Sequence, residues 1–388
     1  MDKGSFVSSG SLPEFNLWHK LAGQRLPLSF DLEITARCNN ACRHCYINLP
    51  VGDKEARRKE LSLAEISDIA DQAVGLGTLW CLVSGGEPLL RKDFADIYLM
   101  LKRKGLLISV FTNACLVTEE HVALFKKYPP RDIEVTVYGI TQETYERVTQ
   151  KPGSYAAFRR GLDLLLKSGL KVRLKAMALR SNVEELPAIA EFSRARTCDY
   201  FRFDPLLHLR YDQDPQRNAE IQAERLSPAE IVAVEQGDDA RARALEKGCE
   251  RLIVPEFAGH AIDYLFYCGA GNQSFSVSYD GIFRLCADLW HPDTIYDLRQ
   301  GTLAQAWNEL VPRVRSLRST TPVYLERCSL CPIINLCLYC PAHAYLECGE
   351  MDGWSNYFCQ VAQARAVAIT ASHQGLQASI PLTPTDGG

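Results

Sequence analysis

Residues 28–45 read Leu28-Ser29-Phe30-Asp31-Leu32-Glu33-Ile34-Thr35-Ala36-Arg37-Cys38-Asn39-Asn40-Ala41-Cys42-Arg43-His44-Cys45. An apolar, strand-like run leads into three cysteines within eight residues. Thiolates are the usual protein ligands of iron–sulfur clusters, and a four-iron cluster normally takes four of them. This loop offers three, so such a cluster would keep one iron open to another ligand. An open position is what separates a reactive metal site from a structural one. The competing readings are a zinc knuckle and three buried cysteines. Zinc loops more often present paired cysteines with a distant second pair.

The chain has 388 residues, enough for two or three domains. At 47% hydrophobic and 23% charged it has the composition of a globular protein with ample core. A net charge of −4 and the lack of a dense basic run give no electrostatic case for nucleic acid. The N-terminus lacks an apolar signal region and no apolar run reaches membrane-spanning length, so a cytoplasmic protein is expected. The 15 cysteines are the outlier. In a reducing compartment that number points to metal or cluster ligation rather than disulfides. Cys81, Cys115 and Cys198 read as small buried hydrophobes.

Residues 1–27 read as an N-terminal extension, shorter than the roughly 50 residues of a folded domain, so no separate peptide-recognition domain is expected there. From 28 to 206 strand and helix signals alternate. Apolar runs at 28–35, 79–84, 106–111, 133–138, 171–179 and 200–206 predict buried strands. Ser62 with Glu65, and Asn182 with Glu185, read as capping boxes, and Thr118 and Thr141 as further N-caps. Six strand–helix units predict an α/β fold, a parallel sheet with helices outside it. Six is fewer than a closed eightfold barrel needs, so an open, partial (β/α)6 barrel is expected. Residues 207–265 read as an irregular bridge, with a loop at 208–215, a helix capped by Ser227 with Pro228 at its first position, and a solvated connector at 236–243.

In parallel α/β folds the chemistry sits at the C-terminal ends of the strands, and the motifs fall there. The cysteine loop follows the first strand. Ser84-Gly85-Gly86-Glu87-Pro88 ends the second, Thr112-Asn113-Ala114 the third, and Thr136-Val137-Tyr138 the fourth. Adjacent glycines let backbone approach a ligand closely. Arg173 and Lys175 alternate with apolar residues on the fifth strand, pointing either into the barrel or to solvent.

The C-x3-C-x2-C spacing, with His44 before its last cysteine, resembles the radical S-adenosylmethionine (SAM) enzymes. The resemblance implies a [4Fe-4S] cluster on Cys38, Cys42 and Cys45, with SAM chelating the open iron. Gly85-Gly86-Glu87 looks like that family's SAM-ammonium motif. Asn113 falls in its Thr-Asn-Gly turn, where Ala114 replaces the glycine. Thr136 matches the position that faces the SAM ribose, and Tyr138 replaces a frequent Asp.

Residues 266–362 read as a second, cysteine-rich module. Tyr279-Asp280-Gly281 between apolar runs signals a tight hairpin. Eight cysteines fall between Cys268 and Cys359. Cys328-x2-Cys331-x5-Cys337-x2-Cys340 has a gap too short for common paired-cysteine zinc sites. The pattern resembles the SPASM extension of radical SAM maturases, although the family's block usually ends C-x3-C. By that resemblance Cys268, Cys286 and Cys340 hold auxiliary [4Fe-4S] cluster I, and Cys328, Cys331, Cys337 and Cys359 hold cluster II. Cys348 is unassigned between the two, and Cys249 is a weaker candidate for cluster I. Residues 363–388 read as a helix end and a tail, disordered over 371–388.

The resemblance implies reductive cleavage of SAM to a 5′-deoxyadenosyl radical that takes hydrogen from the substrate, with a second electron leaving through the auxiliary clusters. It also implies a reductant such as flavodoxin or ferredoxin. The expected substrate is a ribosomally made precursor peptide, oxidised to a thioether or C–C crosslink and presented by a separate small recognition protein. Peptide epimerisation, a small-molecule substrate such as a haem precursor or a sugar, and a non-catalytic cluster protein are the alternatives. Relatives that oxidise a side chain place an Asp right after the hairpin cysteine. Here Ala287 intervenes, making Asp288 the candidate proton acceptor.

Overall fold

The computed structural model describes residues 24–197, 201–252, 263–337 and 339–372. Cys198, the Cys249 side chain and the tail beyond Ser372 lie outside the described residues, as does most of the 1–27 extension.

Six parallel strands run in chain order: β1 (Ser29–Glu33), β2 (Trp80–Ser84), β3 (Leu107–Thr112), β4 (Asp132–Thr136), β5 (Val172–Met177) and β6 (Arg202–Asp204). Helices α1 (Leu63–Gly75), α2 (Phe94–Arg103), α3 (Glu119–Lys127), α4 (Gln142–Thr149), α5 (Ser154–Lys167) and α6 (Leu186–Arg194) lie between them. The expected partial barrel is present, and its sheet is open.

The other edge was not foreseen. The hairpin strands β7 (Ser274–Val277) and β8 (Ile282–Arg284) continue the sheet past β1, with β9 (Tyr296–Asp297) outermost. β7 pairs in parallel with β1, Phe275 opposite Phe30. Their rings stack at 5.2 Å. The cysteine-rich region is therefore joined to the barrel by one nine-stranded sheet.

Register sorts the side chains, because successive residues face opposite sides of a sheet. Phe30, Cys81, Ile108, Ile133 and Val172 share the face that packs into the main core with Ile66, Ile97, Phe125, Leu162 and Ile189. The opposite face carries Asp31, Glu33, Glu134, Lys175, Arg202 and Arg284, of which Glu33, Glu134, Lys175 and Arg284 are held in ion pairs largely away from solvent. Arg284 donates to Glu33 at 2.7 Å and Lys175 lies 2.6 Å from Glu134, which also accepts from Arg202. Arg173 lies 3.8 Å from Asp132 on the same face. Buried charges are tolerated only in such pairs.

Ser62, Thr118, Thr141 and Ser227 cap helices as expected, Ser62 and Ser227 in full capping boxes with Glu65 and Glu230. Asn182 does not. Its side chain accepts from the Leu179 amide and donates to the Tyr138 and Met177 carbonyls, tying the ends of β4 and β5. Glu185 instead accepts from the Ile140 and Thr141 amides at the start of α4. The 207–265 bridge is mostly helical where described: α7 (Pro215–Glu224), α8 (Pro228–Gln236) and α9 (Asp239–Leu252). The connector expected at 236–243 is helical from Asp239, because Asp238 accepts from the Arg241 amide and alanine and arginine are strong helix formers. The C-terminal helices are α10 (Pro341–Cys348) and α11 (Asn356–Ser372), so the first two residues of the predicted tail are helical. Among the described residues no helix is long and apolar enough to cross a membrane.

Candidate active site

The cysteine loop is clamped from two sides. The Gly86 amide donates to the Thr35 carbonyl at 2.7 Å and the Glu87 amide to that of Arg37 at 3.0 Å. This approach leaves no room for side chains. A Cβ on Gly85 would lie 2.1 Å from the Thr35 oxygen, and one on Gly86 2.5 Å from the oxygens of Ala36 and Arg37. Gly85 also has φ +137°, a conformation that favours glycine. On the other side stand two arginines that sequence reasoning missed. Arg217 of α7 donates to the Cys42 carbonyl at 3.0 Å, and buried Arg210 donates to the Asn48 carbonyl and side chain at 3.2 Å. The only signal was Asp212 two residues after Arg210, which forms its ion pair.

Glu87 is wholly buried and accepts from the Thr112 hydroxyl, the Asn113 amide and the Leu89 amide. Burial pushes its carboxyl up to about 7 against those three bonds. Pro88 is buried and opens the short turn Pro88–Leu90. Ser84, half-buried, accepts from the Ile34 amide through its carbonyl. Asn113 reaches back to the loop, donating to Asn39 at 2.9 Å and lying 3.6 Å from the Cys38 sulfur. Ala114 has φ +62°, the left-handed conformation for which glycine is better suited. Thr136 is half-buried at the end of β4, opposite Lys175, whose ammonium sits 3.9 Å from the Phe111 ring centroid. His44 is buried, its ring 5.2 Å from that of Tyr138, and burial lowers its pKa to about 4. Cys115 is buried as expected but is no remote bystander: Asn40 of the loop donates to its sulfur at 3.9 Å, and it adds to the electrostatic field at Cys38 and Cys42.

Burial is the main force raising the thiols of Cys38 and Cys42, and neighbouring loop cysteines add to it. A thiolate in such a place is stabilised by a bound metal. The structure brings together two further sets. Burial chiefly raises the thiols of Cys286 and Cys340, the latter to about 12; Cys340 and Cys268 add to the field at Cys286, and Cys268 to that at Cys340. Cys328, Cys331, Cys337 and Cys359 form the other, with Cys328 and Cys337 at about 12 for the same reason. Among the described residues the one group whose ligand atoms all fall within 4.8 Å of one another is His208, Asp288 and His343. The cysteine sets are thus neighbours without converging as tightly as ligands of a single ion. Tetrahedral zinc, with Zn–S near 2.3 Å, needs that convergence, and a multi-iron cluster does not. Cys348 is exposed, its thiol directed at the Trp354 carbonyl, and joins neither set.

Asp288 lies between regions. It adds to the field at Cys286 and Cys340 and also at Glu33 and Tyr46. Beside it, Arg284 stacks 3.8 Å from the Trp290 ring centroid.

Residues 32–193 match the family described as Radical SAM superfamily, and this segment is a radical SAM domain. The chain is similar to the Fe-coproporphyrin III synthase of Methanosarcina barkeri, 26% identical over 329 residues, covering 78% of this chain and 80% of that one. It is also similar to the antilisterial bacteriocin subtilosin biosynthesis protein AlbA of Bacillus subtilis, 25% identical over 322 residues, 81% of this chain and 67% of that one. Its fold is similar to that of Streptococcus suis SuiB bound to precursor peptide SuiA, with a TM-score of 0.63 at 16% identity, over 89% of this chain and 78% of the other.

Proposed function

We propose that this protein is a radical SAM enzyme that oxidatively modifies a ribosomally made peptide, closing a thioether or C–C crosslink. The observation that carries the reading is the presence of three thiol sets in one chain: one of three cysteines on the barrel loop and two in the region joined to the same sheet. Cys38, Cys42 and Cys45 would hold the SAM-binding [4Fe-4S] cluster. Cys268, Cys286 and Cys340, and Cys328, Cys331, Cys337 and Cys359, would hold two auxiliary ones. With SAM bound, the first cluster would supply the electron for reductive cleavage of SAM, and the others would supply an exit for a second electron. The chain's own part is positional. Gly85 and Gly86 let backbone reach the cluster loop, Glu87 holds the Asn113 turn, and Arg210 and Arg217 fix the loop from the far side. Thr136 and His44 would contact the bound SAM. The paired charges of the inner sheet face give a polar, pre-ordered surface for a substrate backbone.

The likeness to AlbA supports a peptide, presented by a separate recognition protein and reduced by a flavodoxin or ferredoxin. The likeness to Fe-coproporphyrin III synthase favours a haem precursor as the second reading. Anaerobic co-expression with short peptides encoded beside the gene separates them. Loss of two hydrogens from a peptide, absent with Cys42→Ala, is the expected result. An unchanged peptide with turnover of an iron porphyrin would replace the first reading by the second.

A further inference from the structure

His208, Asp288 and His343 come from three separate elements: the loop after β6, the loop after β8, and α10. Their ligand atoms all lie within 4.8 Å of one another, and the two imidazole rings are 4.2 Å apart between centroids. Yet no hydrogen bond or ion pair joins any two of them among the described residues. The Nδ1 of His208 is buried with no partner. His343 is backed by the Phe358 ring, stacked at 4.8 Å. Three ligand atoms that face one another across a gap, without bonding, describe the surroundings of a cation.

We propose that His208, Asp288 and His343 bind one divalent first-row transition ion, Zn2+ or Fe2+, separate from the iron–sulfur clusters. Two imidazoles and one carboxylate are a donor set suited to these ions. Bonds of about 2.1 Å would draw the three atoms somewhat closer than they stand. Three protein ligands leave open positions on the ion, which a substrate thiolate, carboxylate or imidazole can take. The site shares its supports with the thiol set of Cys268, Cys286 and Cys340, since Asp288 follows Cys286 by two residues and His343 follows Cys340 by three. A bound ion there gives Asp288 the task of ligand, in place of the proton acceptor expected from sequence.

The test uses the whole protein, purified anaerobically with its clusters, freed of loose metal by a chelator and titrated with zinc chloride in a calorimeter. The expected result is one Zn2+ per chain. Binding should weaken by more than about 100-fold in the His208→Ala/His343→Ala double variant, beyond what loss of a supporting group alone costs. Iron and acid-labile sulfide should stay at wild-type levels in that variant. Zinc-edge X-ray absorption of the wild type gives a reading that does not depend on variants folding: a nitrogen and oxygen shell with imidazole scattering is expected. No saturable one-site uptake would overturn the proposal. So would unchanged affinity in the double variant, or a sulfur shell, which would place zinc on cysteines. Loss of iron and sulfide from the double variant would also overturn it, since the histidines would then hold a cluster.

Discussion

The two cysteine-bearing regions are built on opposite plans. On the barrel, three thiols come from one loop, and that loop is gripped backbone to backbone by the Gly85-Gly86 turn. Beyond the barrel, the two sets draw on thiols from Cys268 to Cys359, held by a hairpin, two helices and the turns between them. The first region is rigid because its main chain is pinned; the second is ordered because distant segments pack together. Damage to the first should therefore be local and absolute. Damage to the second should be graded.

The sharpest trial of that contrast is a pair of cysteine substitutions. Cys42→Ala should reduce 5′-deoxyadenosine formation under strong reductant to background. Cys337→Ala should lower bound iron by about one cluster's worth while leaving that cleavage measurable. If Cys337→Ala also abolishes cleavage, the two regions are not independent and the contrast fails.

A glycine pair comes next. Gly85→Ala would force a methyl group onto the Thr35 carbonyl at a positive φ, and should destabilise by roughly 3 kcal/mol or more. A Cβ on Gly281, at φ +91° in the hairpin turn, would meet only side chains, that of Leu61 at 3.2 Å and that of Arg299 at 3.8 Å. Gly281→Ala should cost about 1 kcal/mol. Thermal melts of the two variants rank them, and equal losses would contradict the idea of a pinned loop.

Glu33 joins the regions, since it lies on β1 and pairs with Arg284 of β8. Burial raises its carboxyl to about 7 against the pull of Arg284, and its second oxygen has no partner. A raised carboxyl binds its proton more tightly when folded. Its contribution to stability is thus complete below about 4.5 and lost as pH rises through about 7. Glu33→Gln should flatten the fall in melting temperature between pH 5 and pH 8. An unaltered slope would assign that fall to another group.

The smallest expected effect is at Ala114, whose carbonyl is packed by Gly161 and whose φ is +62°. Ala114→Gly relieves a left-handed alanine, worth roughly 1 kcal/mol, but also loosens the unfolded chain. A net gain below about 1 kcal/mol is expected in chemical denaturation.

Much of this was legible in residue order. The six barrel strands appear within two residues of their apolar runs, and four of the five helix starts named carry the side-chain caps their sequence announced. Caps and strands are written in adjacent residues, so local chemistry is enough to find them. Asn182 failed because its side chain found better partners across β4 and β5 than in its own helix. The connector at 236–243 failed because polarity was read as exposure, although Asp238 and the alanines after it favour a helix.

The sequence by itself determined the cysteine loop, the glycine turn that serves it and the open α/β architecture, because spacing and periodicity are local properties of a chain. Tertiary structure alone decided that β7 extends the barrel sheet from β1, that Arg210 and Arg217 brace the loop, that Cys348 stands apart, and that His208 meets Asp288 and His343. Each of these joins residues far apart in sequence. Nothing in their local pattern sets such a distance; the packing of the elements that carry them does.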